Sequence, residues 1–132
     1  MADVIGRLTR VSRFNGPVLG WWLWAPCAAW PAQSAERYTG PWNRKTANPI
    51  LVIGTTHDPN TGYASARATA RRLGNAVLLT HDGYGHISLV DPSACTRKAT
   101  ADYLVRSIAP RPGTVCRSDR LPFDPMFGEP LP

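Results

Sequence analysis

Residues 50–86 read ILVIGTTHDPNTGYASARATARRLGNAVLLTHDGYGH, and this stretch decides the fold. Ile50-Leu51-Val52-Ile53-Gly54 follows Pro49 as a short continuous apolar run, the pattern of a strand buried on both faces. Tyr63, Ala66, Ala70 and Leu73 recur at helical spacing, which predicts a helix over about 62–73, closed by Gly74. Ala76-Val77-Leu78-Leu79-Thr80 is a second run of the buried-strand type. A right-handed crossover makes two such strands parallel neighbours. Strands buried on both faces need further strands beside them and helices on each side. The unit therefore reads as α/β and as incomplete on its own.

Working outward, Asp91-Pro92 opens another helix, with Asp91 expected as its N-cap and Pro92 at its first position. Ala101, Leu104, Val105 and Ile108 are its expected inward stripe. Beyond Pro110 the chain is rich in Pro and Gly, with Cys116 as its anchor. Upstream, residues 31–48 are polar and read as a loop. Residues 17–30, PVLGWWLWAPCAAW, carry Trp21, Trp22, Trp24 and Trp30. They are expected to form a short helix packed on a core, with Cys27 buried. Arg7, Arg10 and Arg13 ahead of this block give it the outline of a signal peptide. Asp3, the interruptions at Gly20 and Pro26, and the density of Trp argue against that reading. The expected division is a Trp-rich helix and loop over 1–48, an α/β domain over 49–120 and a Pro-rich tail over 121–132.

Composition bounds what this unit can do. The chain has 132 residues, a length suited to one domain. Hydrophobic residues make up 43% and charged residues 18%, which excludes a disordered acidic tail and a coiled coil. No apolar run reaches the length of a spanning helix, so no membrane partner is expected. The net charge of +6 raises the question of nucleic acid. The basic residues are scattered, and the densest group, Arg67, Arg71 and Arg72, falls on the polar side of one helix. No binding motif accompanies them, so no nucleic-acid partner is expected. Three cysteines, Cys27, Cys95 and Cys116, show no metal-ligand spacing, and neither a metal nor another cofactor is expected. A bridge between Cys95 and Cys116 would contribute about 3 kcal/mol and would suit an oxidising compartment.

The chemistry collects after the strands. In open α/β sheets, functional groups gather just past the carboxyl ends of the strands. Asp58 follows the first strand and His86 follows the second, so both loops open on one edge. A carboxylate that orients an imidazole, and an imidazole that takes a proton from a nucleophile, are the two supporting members of a Ser-His-Asp relay. Gly83 and Gly85 free the backbone to turn before His86. Asp58 also reads as a turn residue or helix N-cap before Pro59. His57 and His81 lack the Gly-x-Gly setting of His86 and read as structural or solvent-facing. Asp82 reads as a turn residue and Tyr84 as an aromatic shielding the turn.

NPILVIGTTHDPNT, the GYGH turn, the Cys95 helix ending in DYLVRS and the closing PRPGTVC occur in that order, with CAAWP upstream. Together they resemble the C-terminal domain of tripeptidyl-aminopeptidase-like (TAP-like) α/β-hydrolases, serine peptidases related to prolyl aminopeptidases. The resemblance spans roughly residues 20–120. It implies that Asp58 is the triad acid, that His86 is the triad base and that Cys95 pairs with Cys116. It further implies that Cys27 pairs with a cysteine upstream, and that the protein is extracellular. The substrate implied is a peptide or a small ester or amide. The family's nucleophile sits in a Gly-x-Ser-x-Gly elbow before the acid. None of Ser12, Ser34, Ser65, Ser88, Ser93, Ser107 and Ser118 lies in such a motif. The nucleophile is therefore expected on an N-terminal half outside this chain. A non-catalytic remnant or docking module is the alternative.

Overall fold

A computed structural model describes residues 2–32 and 34–124. Residues 125–132, most of the expected tail, lie outside the described residues. The chain divides into two compact units, Met1–Tyr38 and Thr39–Pro132.

The first unit is a helical hairpin of α1 (Ala2–Val11) and α2 (Asn15–Ala28). Helix α1 was not foreseen in the weakly patterned N-terminus. The seam is lined by glycine: a Cβ on Gly16 would stand 2.1 Å from the Leu8 carbonyl oxygen, and one on Gly20 would meet Leu8 at 3.1 Å. Gly16 and Gly20 are the buried residues of α2. The expected burial of the Trp block is not made within this unit. Trp21, Trp22, Trp24 and Trp30 are exposed, and so is Cys27. Two helices share a single seam, and the rest of an apolar helix needs a further element to cover it.

The second unit is a three-stranded parallel sheet of β1 (Ile50–His57), β2 (Ala76–Tyr84) and β3 (Val115–Arg117), in the order β1-β2-β3. Ile50 pairs with Ala76 and Thr55 with His81, in one continuous register. Between Thr55 and His57 the register shifts, because β2 carries one extra residue there before His57 meets Tyr84. The third strand went unseen in the Pro/Gly-rich end. It pairs Thr80 with Val115 and His81 with Cys116.

Helix α3 (Tyr63–Arg72) packs where Gly54 leaves room, since a Cβ on Gly54 would stand 2.7 Å from Ala66 Cβ. Tyr63 and Thr80 hydroxyls bond at 2.6 Å on that face. Helix α4 (Ala94–Arg106) meets the opposite face, where Thr96 touches His81. Thr80 and His81 point to opposite faces because successive strand residues alternate. The unit thus has helices on both faces of a parallel sheet.

Three expectations about α4 and the strand ends are corrected. The N-cap of α4 is Ser93, not Asp91: the Ser93 hydroxyl accepts the Thr96 N–H at 3.2 Å and donates to the Arg117 carbonyl at 2.7 Å. Ala101, Leu104, Val105 and Ile108 are not an inward stripe. Leu104 and Val105 are exposed, and Thr96 is the buried residue of the helix. Finally, both strands run past their apolar cores into polar sequence. Thr56 and Asp82, expected outside the strands, bond to each other across them, with the Thr56 hydroxyl donating at 3.0 Å. Asp82 is therefore a strand residue rather than a turn residue. The fully buried apolar side chains among the described residues are Leu79 and Cys116, while Ile50–Ile53 are only half-covered.

Candidate active site

The first strand delivers Asp58 at its carboxyl end, and Asp58 immediately nucleates a turn. Its Oδ1 accepts the amides of Asn60 and Thr61, both at 2.8 Å, and its Oδ2 accepts the Thr61 hydroxyl at 2.7 Å. A short carboxylate bonding the backbone two and three residues on is the expected behaviour of Asp in Asp-Pro-Asn-Thr. The turn reading and the acid reading of Asp58 are thus compatible. The N-cap of α3 is Gly62 instead.

The second strand delivers His86, and the structure brings it to Asp58. His86 Nδ1 stands 3.1 Å from both Asp58 oxygens. A carboxylate only accepts, so Nδ1 carries a proton in this contact. The Asp58 side chain is 2% exposed and the His86 side chain 45% exposed, so the carboxylate is covered and the imidazole is half-exposed. Nε2 is 3.4 Å from Asn60 Nδ2, and Thr61 Oγ1 is 3.5 Å from Nδ1.

Burial of the Asp58 carboxyl by itself raises its pKa. The hydrogen bonds from the Thr61 hydroxyl and amide, and from the amides of Ile87 and Asn60, outweigh burial and hold it well below the usual carboxylate range. Asp58 is therefore a fixed negative charge beside the imidazole.

Ile87 and the glycines complete the loop. Ile87 donates its N–H to Asp58 Oδ2 at 3.0 Å. Gly85 has φ 101°, as expected for the turn before His86. Gly83 is needed for a different reason. It does not adopt a positive φ, but a Cβ there would stand 2.0 Å from Asp91 Oδ2. Sequence reading missed the four groups that bond Asp58 from Asn60, Thr61 and Ile87. The Asp-x-Asn-Thr spacing held a signal for the first two residues, but nothing local points to Ile87.

The other histidines separate. His57 stacks on Tyr84 with ring centroids 4.7 Å apart, on the exposed side of the strand ends. His81 is fully buried and bonds Asp91, which corrects any solvent-facing reading of it. Cys95 and Cys116 form a disulfide with Cα atoms 5.4 Å apart, joining the start of α4 to β3. A cleft on the Asp58 side of the pair is lined by Asp58, Thr61, Ile87, Leu89, Val52 and Thr100 among others. No group of residues with metal-ligand character occurs among the described residues.

An acid and an imidazole on successive loops at the carboxyl edge of a two-faced parallel sheet define part of an α/β-hydrolase fold. Comparison with known proteins narrows this class. The model of the TAP-like protein family matches residues 12–116, and the chain belongs to that hydrolase family. It is 36% identical over 92 residues to carboxylesterase B of Mycobacterium tuberculosis, covering 68% of this chain and 17% of that protein. It is 30% identical over 90 residues to serine protease Hip1 of the same organism, again covering 68% of this chain and 17% of the relative. The chain thus spans about a sixth of the length of these relatives. No solved structure matches it.

Proposed function

We propose that this chain is the acid-and-base portion of a TAP-like serine hydrolase that cleaves peptide, ester or amide bonds through an acyl-enzyme. Asp58 orients the imidazole and stabilises it when it charges. His86 takes the proton of a serine hydroxyl at Nε2 and later returns it to the leaving group. The serine and the groups that stabilise the oxyanion come from an N-terminal portion outside these residues. The single observation that supports this reading most is the approach of His86 Nδ1 to both Asp58 oxygens, on an imidazole that stays half-exposed. The names of the relatives, an esterase and a serine protease, favour acyl transfer. The Cys95–Cys116 disulfide favours an extracellular or envelope location.

The ring partners of His86 among the described residues are Asp58, Thr61 and Asn60, not a serine. That observation also suits the second reading, a non-catalytic remnant or docking module.

The test is a chimera in which this chain replaces the corresponding C-terminal region of carboxylesterase B. It is expected to hydrolyse a chromogenic ester, and Asp58→Asn is expected to lower kcat by about 10⁴-fold. His86→Gln should lower it at least as far. Full activity in either substituted chimera would overturn the assignment. The isolated chain should not be labelled by a serine-directed fluorophosphonate, and stoichiometric labelling of one serine would show that the nucleophile lies within it.

A further inference from the structure

A second set of polar groups lies beneath the Asp58–His86 pair, and the proposed relay does not use it. His81 is 0% exposed, with Nε2 2.9 Å from Asp91 Oδ2 and Nδ1 2.9 Å from Thr96 Oγ1. With the proton on Nε2, the ring donates to the carboxylate and accepts from the threonine, so both nitrogens are satisfied. The same Asp91 Oδ2 accepts the Tyr84 N–H at 2.7 Å, and Asp91 Oδ1 accepts the Ser118 hydroxyl. No buried side-chain polar atom among the described residues lacks a partner.

The placement of these bonds gives them a consequence. The chain leaves β2 at Tyr84 and passes through Gly85, His86 and Ile87 before reaching Asp91. The Tyr84–Asp91 bond closes this loop at its base, and His81 and Ser118 fix the closing carboxylate to β2 and to the segment after β3. At the tip, Asp58 holds His86 and the Ile87 N–H. Two carboxylates therefore grip one loop from opposite ends. Gly83 makes the lower grip possible, since a Cβ there would stand 2.0 Å from Asp91 Oδ2 and 2.5 Å from His81 Nε2. A side chain at 83 would push the pair apart.

We infer that Asp91 is a positioning residue for His86: by closing the Tyr84–Asp91 loop on buried His81 and Ser118, it sets where the imidazole stands against Asp58. The inference rests on the proposed acid–base reading of Asp58 and His86. Asp91 touches no reacting atom and acts only through the backbone of the loop. A half-satisfied buried carboxylate or imidazole is costly, so displacing Asp91 from His81 and Tyr84 loosens the whole loop, while losing the Ser118 bond alone loosens it in part.

The test is NMR of the full chain, following the His86 Nδ1 proton and the exchange rate of the Ile87 amide. Asp91→Asn and Gly83→Ala are expected to broaden or remove the His86 ring signal. They should also speed Ile87 exchange by about tenfold, the loss of one hydrogen bond's worth of local protection. Ser118→Ala leaves the His81–Asp91 and Tyr84–Asp91 bonds in place, so it is the variant least able to unfold the chain. It should shift both signals in the same direction by a smaller amount. Parent-like His86 and Ile87 signals in Asp91→Asn and Gly83→Ala would overturn the positioning role. If those two variants unfold globally, parent-like signals in Ser118→Ala would overturn it. Asp58→Asn separates the two readings: an unmoved His86 ring signal there sinks the acid–base pair and not the role of Asp91.

Discussion

Ile87 gives its backbone N–H to Asp58 Oδ2 at 3.0 Å while holding φ 59°, a left-handed conformation that a β-branched residue rarely adopts. The residue after His86 thus holds a strained backbone conformation while it bonds Asp58. Such strain at a site persists because the surroundings over-determine it.

That strain predicts an ordering of variants. In the left-handed region glycine escapes a penalty of about 1 kcal/mol that a Cβ-bearing residue incurs. Ile87→Gly should therefore be more stable than Ile87→Ala by about 1 kcal/mol, the reverse of the usual order. Urea unfolding of both variants measures this, and an alanine variant equal to or above the glycine variant contradicts it.

Acid should weaken the unit chiefly through the covered carboxyls of Asp58 and Asp91, beside the more exposed Asp102 that Lys98 and Arg106 hold low. Burial raises the pKa of Asp91, but the Ser118 hydroxyl, His81 and the Tyr84 amide outweigh it, and the net shift is downward, as it is for Asp58. A carboxyl with a lowered pKa in the folded state binds its proton more readily when unfolded. Its contribution is therefore fully present above the unfolded value of about 3.9 and is lost as pH falls through the folded value. The urea midpoint should hold steady near neutrality and fall steeply below about pH 4. Asp91→Asn should flatten that fall, and a midpoint equally acid-sensitive in the variant speaks against the assignment.

Reduction should release β3. The Cys95–Cys116 bridge closes a span of 21 residues, and Cys116 is 1% exposed in register with His81. Opening it should lower stability by about 3 kcal/mol. The comparison is urea unfolding with and without reductant, checked against the Cys95→Ser, Cys116→Ser double variant. A loss well under about 1 kcal/mol would mean that packing alone holds the strand.

The outer edge of β1 should make the isolated chain associate. Among the described residues β1 pairs only with β2, which leaves its other edge with unpaired backbone groups. Sedimentation over a range of concentrations should show dimers or larger species. A monomer at every concentration, unfolding in one cooperative step, would contradict this.

Much of the plan was legible because it is local. Two apolar runs flanking a helical repeat specify parallel strands and their crossover. Tyr63 and Ala66 of α3 then meet the sheet at Gly54 and Thr80, on the face their spacing predicts. Asp58 and His86 were legible because strand ends present loops on one edge, whatever the loops contain. The placement of His81, Asp91, Ser118 and Ile87 was not legible. Asp91-Pro92 looks like a helix start, and Ser93 takes that role only because Asp91 is engaged by His81 and Ser118, 10 residues back and 27 ahead. The apolar Leu104 and Val105 read as inward for the same kind of reason, yet the face that packs is set by Thr96 against His81.

By itself, then, the sequence determined the strand–helix–strand unit, the edge where Asp58 and His86 meet, and the family those residues resemble. All of these follow from short-range periodicity and residue type. Only the tertiary structure decided that Asp58 also takes the Ile87 N–H, that a third strand is bridged to α4 by the disulfide, and that His81 and Ser118 hold the Asp91 that closes the loop carrying His86. Each of those depends on a hydrogen bond or a covalent bridge between residues far apart in the chain, and no local pattern encodes which distant partner a polar group will find.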